Sequence, residues 1–534
     1  MGAMRGCLLR YAAVVLLVAI QAGGAPAQDW WVDAQAGGRS DGSAQAPWAD
    51  LSTALAHPGL GPGDTIFMRP GIYRGSDRWI RTPGIRLTRD PASSGRVILD
   101  GGVALPDLCN RLPDGTQKTR DNGARFTKVL GVQAGADGVT IDGLEVRHGH
   151  VGIFTEAART RILDCHVHHT SQNGISSTGS QTEIAFCIVH DVVLYNLDGQ
   201  CLTKGVRADG SPDRDTRKKV VRADGTVTTT NMDWGQGITC KGDYPRDPSA
   251  NFTKIGSDGL VHDNLLWNAW SEGFGTFISR RTALVANTAF NIWRIGYYLQ
   301  NADQAVLEGN AILFQDTFDA WALRGGIAFA NELDRRFFAG SHPTDPFLLP
   351  DTSGAILRDN SAIGGSTCLT SVFGRPLNTQ ADQTLTIAGN LLADPPGAEP
   401  CLEIAAQVRG SIRVTGNVFL KAGADPATES RFFERRDAAG AQPAQVWTIA
   451  GNRRAGLPTG LTAVNDDLRV LVQRAQALAA LPDDQESAPA LAQVRAQAAV
   501  LRRRLDHLRA EQSTAPNAAP RILRTGARST NLTP

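Results

Sequence analysis

The chain has 534 residues, more than a single hydrophobic core usually reaches, so its length predicts several domains or a repeat architecture. It contains 56 glycines, 6% aromatic and 20% charged residues, a balance typical of a soluble, turn-rich β protein and not of a disordered one. The formal net charge of +1 gives no global basic signal, which argues against nucleic acid as a partner.

Residues 1–27 predict a secretory signal sequence. Arg5 and Arg10 precede an apolar run at residues 11–20, and Ala25-Pro26-Ala27 offers a small-residue cleavage site. The apolar run is too short to span a bilayer, and no later segment of the sequence qualifies. We therefore expect a periplasmic or secreted protein without a membrane span.

A short amphipathic helix is predicted at residues 49–56, before a turn at Pro62-Gly63-Asp64 and a strand around Ile66 and Met68. If strands stack beyond this point, such a helix would cover their open edge and block edge-to-edge association. The helix is therefore predicted to cap the domain that follows it.

That domain contains a repeat of about 22 residues, in which an anchor residue follows three or four mostly apolar ones. The anchors, separated by steps of 22, 22, 77, 23 and 23 residues, are Gly143, Cys165, Cys187, Asn264, Asn287 and Asn310. The pattern continues less regularly at Asn360, Asn390, Asn417 and Asn452. Short strands between sharp turns at this period predict an all-β right-handed parallel β-helix over residues 28–460. Inward asparagines at one turn predict a hydrogen-bonded ladder, with Cys165 and Cys187 as small buried residues in the same position.

The 77-residue step contains an insertion at residues 206–234, where Ala-Asp-Gly favours a tight hairpin. This insertion is predicted to form a wall or lid beside the coil. The insertion is rich in basic residues, which are Arg214, Arg217, Lys218, Lys219 and Arg222. They either contact an anionic polymer or are simply the charged side chains of a solvated loop.

The C-terminal part has a different pattern. Apolar residues at helical spacing predict an antiparallel helical hairpin over residues 461–512, interrupted by Pro482-Asp483-Asp484. The hairpin either packs on the coil, self-associates or docks a partner. Residues 513–534 are poor in apolar residues and predict a disordered tail.

Three strings carry a resemblance to a known family: PGDTIFMRPGIY, RVILDGG and VTIDGLEVRHG. They resemble the N-terminal half of the pectate-lyase-like superfamily, in particular the chondroitinase B and alginate lyase family and pectate lyase family nine. The resemblance covers residues 29–315 and, loosely, 350–455. It implies the parallel β-helix fold and an acidic polysaccharide as partner, and, because NLDGQCLTKG resembles the Asp-Gly then Lys arrangement of family nine, it implies Asp198 as a calcium ligand and Lys204 as a base.

Residues at one register of the stacked rungs form surface columns, because rungs lie roughly 4.8 Å apart. The column four places past the anchor contains Arg147, His169, Asp191, Asn268 and Asn291. The column eight places past it contains Val151, Asn173, Tyr195, Glu272 and Ile295. Both are polar in the middle rungs, which favours a substrate groove, although hydrophilic turns alone would produce the same pattern. A column on the next strand contains Glu156, Thr178, Lys204 and Lys241.

β-Elimination from a uronate needs a base, a group that neutralises the carboxylate, and an acid for the leaving oxygen. Two adjacent lysines would lower each other's pKa, so Lys204 or Lys241 is predicted as the base, although two solvated lysines are the alternative. Arg294 or His169 is predicted as the neutralising group, and Tyr195 as the acid. The predicted substrate contacts are Asn173, Asn268, Trp270 and Asn291, and Trp267 and Trp293 are further candidates for stacking on sugars. Calcium could instead neutralise the carboxylate, with Asp191, Asp198, Glu272 and Asn268 as its ligands.

Two alternatives remain open. A glycoside hydrolase would use two of Asp191, Asp233 and Glu272, but the sequence lacks the motifs of polygalacturonases and mannuronan epimerases. A non-catalytic β-helix would bind or scaffold an exopolysaccharide. A disulfide between Cys368 and Cys401 is a further hypothesis.

Overall fold

The computed structural model describes residues 26–104, 108, 127–196, 218–221, 227–230, 235–242, 255–314, 325–331, 352–364, 367–371, 383–393, 401–405, 410–421, 433–436, 445–455, 457–482 and 487–514. The predicted signal sequence, apart from its last two residues, and the tail from residue 515 lie outside this part of the chain. Asp198, Lys204 and Asp233 do so as well.

The described strands form three long parallel sheets of 13, 12 and 12 strands, here named A, B and C. Sheet A consists of Asp29–Val32, Thr65–Met68, Arg86–Arg89, Thr140–Asp142, Arg161–Leu163, Glu183–Ala185, Leu260–His262, Ala283–Val285, Val306–Glu308, Ile356–Arg358, Thr384–Ala388, Gly410–Thr415 and Gln445–Ala450. Sheet B consists of Gly71–Arg74, Val97–Asp100, Glu145–Gly149, His166–Thr170, Ile188–Val192, Leu265–Ala269, Thr288–Ile292, Ala311–Leu313, Ser361–Ile363, Leu391–Ala393, Val418–Leu420 and Arg453–Ala455. Sheet C consists of Arg78–Ile80, Lys128–Val132, Val151–Thr155, Ile175–Ser177, Gln236–Lys241, Gly256–Ser257, Glu272–Arg280, Ile295–Asp303, Gly325–Ala330, Thr367–Ser371, Leu402–Ala405 and Phe433–Arg436.

Each coil therefore contributes one strand to each sheet in the order A, B, C, and the next coil pairs with it in parallel register. Inward side chains of all three sheets meet in one core that runs along the coil, with Val167, Leu266, Phe274 and Tyr297 among its members. This architecture confirms the predicted parallel β-helix. A single rung has an apolar inner edge on both sides, and only stacking removes that edge from water.

The predicted asparagine ladder is present at the turn between sheets A and B. Each ladder side chain accepts hydrogen bonds, at 2.8–3.0 Å, from the backbone N–H and the amide group of the asparagine one rung earlier, and its own amide donates to a sheet A carbonyl at 2.7–3.0 Å. The ladder runs from Asn264 through Asn287, Asn310, Asn360, Asn390 and Asn417 to Asn452. The buried polar backbone of the turn is satisfied in this way.

The first anchor is Leu144 and not Gly143. In each rung the carbonyl of the anchor accepts a hydrogen bond from the first N–H of the sheet B strand in the next rung. The residues that do so are Leu144, Cys165, Cys187 and Asn264. Gly143 precedes this position and adopts a left-handed backbone (φ 71°), as the residues before the later anchors do. The sequence alignment was wrong by one residue because Gly143 belongs to the turn that needs positive φ.

The cysteines in the described residues are free thiols. Cys165 and Cys187 are fully buried in anchor positions, which confirms their prediction as small core residues. Cys368 and Cys401 are buried and also free, so the hypothesis of a disulfide between them is wrong. They lie in the core of successive rungs, where a thiol fills the small space that the stacking leaves.

The N-terminal helix α1 comprises Leu51–Ala56 and begins after Asp50, whose carboxylate accepts a hydrogen bond from the Thr53 N–H. Leu51 and Ala54 are its buried residues and join the core of the coil. This confirms the predicted capping helix.

Helices α2 (Thr459–Ala479) and α3 (Ala488–Thr514) form the predicted helical pair. Their apolar residues pack on the outer face of sheet B, where the covered side chains include Ile188, Leu265, Trp267 and Phe290. Of the predicted roles for this pair, packing on the coil is the one that the structure displays. No helix of the described residues is long and apolar enough to cross a membrane.

In the insertion, Lys218–Val221 and Val227–Thr230 pair in antiparallel register, as expected for a hairpin.

Candidate functional site

The next-to-last position of five sheet B strands carries a column of polar residues with left-handed backbone. His148, His169, Asp191, Asn268 and Asn291 have φ between 49° and 57°. Histidine, aspartate and asparagine tolerate this region better than other side chains, which explains their recurrence in this position. The predicted first member, Arg147, pairs with His168 on sheet B instead, because of the one-residue shift of the first anchor.

A chain of hydrogen bonds connects the members of this column. The Asn291 amide donates to Asn268 Oδ1 at 3.3 Å, and the Asn268 amide donates to Asp191 Oδ1 at 3.0 Å. The other Asp191 oxygen lies 2.7 Å from His190 Nδ1. Burial by itself raises the pKa of Asp191, but the hydrogen bonds from His190 and Asn268 lower it below its ordinary value. Both carboxylate oxygens thus have hydrogen-bond partners within the protein, and the role of Asp191 in calcium binding stays a prediction.

A cluster of buried polar side chains, Glu145, His166, His168 and His190, continues the chain onto the outer face of sheet B. His166 Nε2 lies 2.8 Å from His190 Nε2, and His168 Nε2 lies 3.2 Å from Glu145 Oε1. Burial lowers the pKa of His166 to about 4 and that of His168 well below its ordinary value, so both rings are neutral at pH 7. Arg96 donates two hydrogen bonds to Glu145, at 2.6 and 2.8 Å.

The same surface changes character along sheet B. His190 is stacked on Trp267 with ring centroids 4.4 Å apart, and Trp267 is stacked on Phe290 at 5.6 Å. Trp267 and Phe290 are buried under α2 and α3 and are not available for sugars. The helical pair thus covers the part of sheet B that the sequence placed beside a groove.

The first outward positions of sheet C form a second polar row. Asn173 Oδ1 accepts a hydrogen bond from the Gln236 N–H at 2.9 Å, and the Gln236 side chain donates to Glu272 Oε2 at 3.1 Å. Asn173 and Glu272 are buried, with 8% and 0% exposure. Gln236 takes the place in this row that the sequence assigned to Tyr195, because the coil resumes in sheet C only after the insertion. The glycine that follows it, Gly237, matches Gly174 and Gly273 and would have identified it.

The next outward positions of sheet C carry small side chains. Ser176, Thr239 and Gly275 are aligned by strand pairing. The hydroxyl oxygens of Ser176 and Thr239 are buried and have no hydrogen-bond partner among the described residues. A Cβ on Gly275 would lie 2.4 Å from the Phe277 ring, so this ring packs directly over the glycine backbone. Two hydroxyl groups without partners in one column are suited to bind a polar ligand.

Lys241 lies in the column that the sequence predicted. The prediction also required a strand with Lys204 between Lys241 and Thr178, but the strand of Lys241 pairs directly with Ile175–Ser177, so no such strand lies between them in sheet C. Cys240 pairs with Ser177, which places Lys241 beside Thr178, and the strand register continues through Phe277 to Gln300. Lys241 is half-buried. Lys241 is five residues from Gln236 along the same strand, a distance of about 16 Å. Lys241 and the polar row of Asn173, Gln236 and Glu272 therefore lie at opposite ends of the sheet C strands.

The remaining predicted site residues lie near the turn between sheets B and C. Tyr195 belongs to a 3₁₀ turn at Leu194–Asn196 and is 9% exposed, and its N–H donates to the Ser171 carbonyl. Trp270 is half-buried and packs beside Leu194. Arg294 directly precedes the strand Ile295–Asp303. The structure therefore gathers His169, Tyr195 and Arg294 near one edge of sheet C and places Lys241 at the other.

Arg280 is a cation near Lys241 that the sequence reasoning missed. It lies three residues beyond Phe277, the register partner of Lys241, on the neighbouring strand. Its side chain is 39% exposed, and its Nε lies 3.8 Å from Asp303 Oδ2. No motif marks this position, because it follows the regular part of the repeat.

Comparisons with known proteins concern the whole coil. No family model and no curated protein matches the sequence. Among solved structures, the GH136 lacto-N-biosidase from Eubacterium ramulus aligns with a TM-score of 0.47 and 10% identity, over 80% of this chain and 68% of that chain. Pectate lyase Pel9A aligns with a TM-score of 0.37 and 12% identity, over 82% and 80% of the two chains. An alginate lyase from Paenibacillus sp. aligns with a TM-score of 0.34 and 12% identity, over 80% and 99%.

These neighbours are, by name, lyases and a glycosidase, and at such identities the likeness concerns the fold. The parallel β-helix fold of this chain is shown by its own three parallel sheets.

Proposed function

We propose that this protein acts on a uronate-containing polysaccharide and cleaves it by β-elimination on the outer face of sheet C. The observation that carries the proposal is the outward column in which Lys241 stands between Thr178 and Phe277, next to the hydroxyl groups of Ser176 and Thr239. A half-buried cation beside neutral polar groups suits an acidic sugar. The strand fixes the backbone of Lys241 in the register of the neighbouring rungs.

In this proposal Lys241 removes the proton at C5 of the uronate, and Arg280 on the next rung neutralises the carboxylate. Arg280 replaces the predicted Arg294 and His169 in this role, because these two lie at the far end of the strands. The hydroxyl groups of Ser176 and Thr239 would bind sugar hydroxyls. Calcium remains a separate proposal: its predicted ligand Glu272 lies at the Gln236 end of sheet C, so an ion there would bind the polymer and would not neutralise the carboxylate beside Lys241.

Hydrolysis receives less support from the described residues. It needs two carboxyl groups about 5–9.5 Å apart. Of the predicted carboxylates, Asp191 has both oxygens engaged, and Glu272 accepts a hydrogen bond from Gln236. Asp233 lies outside the described residues. A binder without catalysis is the remaining alternative, and the assay below separates all three.

The test incubates the mature protein with alginate, pectate and chondroitin, with calcium and with a chelator, and follows the absorbance of unsaturated uronates. We expect absorbance on at least one polymer. Lys241→Ala is expected to lower the rate at least ~100-fold, since a general base contributes about 10²–10⁴-fold. Arg280→Ala is expected to raise KM about 10-fold, and the matched control Arg413→Ala, an exposed cation on sheet A, should change neither.

Three outcomes would contradict the proposal. New reducing ends without the absorbance would indicate hydrolysis, binding without cleavage would indicate a scaffold, and full activity of Lys241→Ala would remove the base. Export is part of the same proposal. Mass spectrometry of the protein recovered from outside the cytoplasm should give a first residue near Gln28.

A further inference from the structure

We propose that Glu145, His166 and His168 bind one divalent transition-metal ion, with zinc as the reference, on the face of sheet B against which the helical pair packs. Each residue offers one ligand atom, and the three atoms lie within 4.8 Å of one another. All three side chains are buried, with 4%, 4% and 6% exposure. The site lies on the outer face of sheet B and is separate from the groove proposed on sheet C.

The spacing of the ligand atoms fits a tetrahedral ion. Zinc bonds of about 2.0–2.2 Å place neighbouring ligand atoms about 3.4 Å apart. His168 Nε2 lies 3.2 Å from Glu145 Oε1, and His166 Nδ1 lies 3.7 Å from Glu145 Oε2. An ion therefore fits between them with small side-chain adjustments.

The hydrogen bonds of His166 leave one nitrogen for such an ion. A carboxylate oxygen only accepts hydrogen bonds, so the His190 tautomer that fits Asp191 carries its proton on Nδ1 and accepts with Nε2. His166 must then carry its proton on Nε2, which lies 2.8 Å from His190 Nε2. Its Nδ1 has a lone pair, is buried, and has no hydrogen-bond partner among the described residues. This lone pair faces a carboxylate oxygen of Glu145, and a cation between the two converts their repulsion into attraction.

Both histidines also have the outer partners that metal ligands require. A histidine bound to a metal typically donates its second N–H to another group, which fixes the ring. His166 donates to His190, which donates to Asp191, and Asn268 supports Asp191. His168 Nδ1 lies 2.6 Å from His169 Nδ1, so His168 can bind through Nε2 while its Nδ1–H donates to His169. The hydrogen-bonded column of His169, Asp191 and Asn268 thus orients the proposed ligands.

The donor atoms of the site favour a transition metal. Arg96 donates to both oxygens of Glu145, and Arg147 Nη1 lies 3.8 Å from Oε1, so an ion would share the carboxylate with these two cations. Arg96 also donates to the carbonyl of Pro482, in the connection between α2 and α3, so the site is linked to the position of the helical pair. Two imidazoles and one carboxylate suit zinc, whereas calcium and magnesium prefer oxygen ligands alone.

The test uses the full mature chain, stripped with a chelator and dialysed. Elemental analysis after incubation with zinc is expected to give about one zinc per chain. The melting temperature should rise with zinc and not with calcium, since an ion that binds only the folded state stabilises it. Cobalt(II) should give the visible absorption of a four-coordinate site, and zinc should remove it. A wild-type protein without bound zinc and without the cobalt spectrum overturns the proposal.

Variants locate the site. His168→Ala and Glu145→Gln are expected to weaken zinc binding at least ~100-fold, and Asp191→Asn about 10–100-fold through the outer partners. The matched control His507→Ala, an exposed histidine on α3, should bind zinc as the wild type does. Far-UV circular dichroism verifies that each variant is folded. Unchanged zinc affinity in folded His168→Ala and Glu145→Gln overturns the assignment.

Discussion

The asparagine ladder predicts a steep difference in stability between its middle and its end. In Asn310→Ala the side chain that lies between Asn287 and Asn360 is removed. Asn310 Oδ1 accepts from the backbone N–H and the amide of Asn287, and the Asn310 amide donates to the Leu284 carbonyl and to Asn360. Four buried groups lose a hydrogen bond: the two Asn287 donors, the Leu284 carbonyl and Asn360 Oδ1, of which Asn360 Oδ1 still accepts from the Asn310 N–H.

Each buried polar group without a partner costs about 1–3 kcal/mol, so we expect Asn310→Ala to lower the free energy of unfolding by about 3–6 kcal/mol. Asn452, at the end of the ladder, makes the same kinds of bonds to Asn417 and Val414, but these are only partly buried. Water can replace Asn452, so Asn452→Ala should cost about 1 kcal/mol.

Urea unfolding of the wild type and both variants, followed by far-UV circular dichroism, measures this difference. Equal losses for Asn310→Ala and Asn452→Ala would contradict the reasoning, since burial would then not decide the cost. A loss below about 1 kcal/mol for Asn310→Ala would also contradict it.

Further predictions concern pH and the helical pair. Burial lowers the pKa of His166 to about 4, so the unfolded chain binds a proton at a higher pH than the folded chain does. The free energy of unfolding should therefore fall between pH 6.5 and pH 4, by up to about 3 kcal/mol. Thermal melts of His166→Gln over this pH range should show a weaker dependence on pH. Burial lowers the pKa of His262, but hydrogen bonds to Asp263 and Glu183 raise it to about 9. The contribution of His262 to the free energy of unfolding should be complete below pH 6.5 and should disappear as the pH rises through about 9. It should be absent in His262→Gln. Leu471→Ala, in the buried contact of α2 with sheet B, should cost about 2–5 kcal/mol in urea unfolding, whereas the exposed Val470→Ala should cost less than about 0.5; equal effects would argue against packing.

The repeat places several polar residues in columns on the outside of the coil, but it does not say what packs over them. His168 and His190 occupy positions that the repeat alone makes outward, but both are buried, and α2 and α3 pack on that face. Contacts between residues hundreds of positions apart, such as Arg96 with Pro482, leave no local pattern in the sequence. The histidines are therefore part of a buried hydrogen-bonded cluster, and the substrate groove is proposed on sheet C instead.

The coil itself was determined by the sequence. A period of 22 or 23 residues and an asparagine at one turn need no distant information, because each rung contacts its neighbours in the chain and repeats their geometry. The same local rule aligned Lys241 with Thr178. Only the tertiary structure decided which outer face the helices cover, which residue resumes the coil after the insertion, and that Lys241 and Arg294 stand at opposite ends of sheet C. Those positions depend on packing across sheets and on register after a long excursion, and a one-residue step such as that from Gly143 to Leu144 moves a side chain to another face.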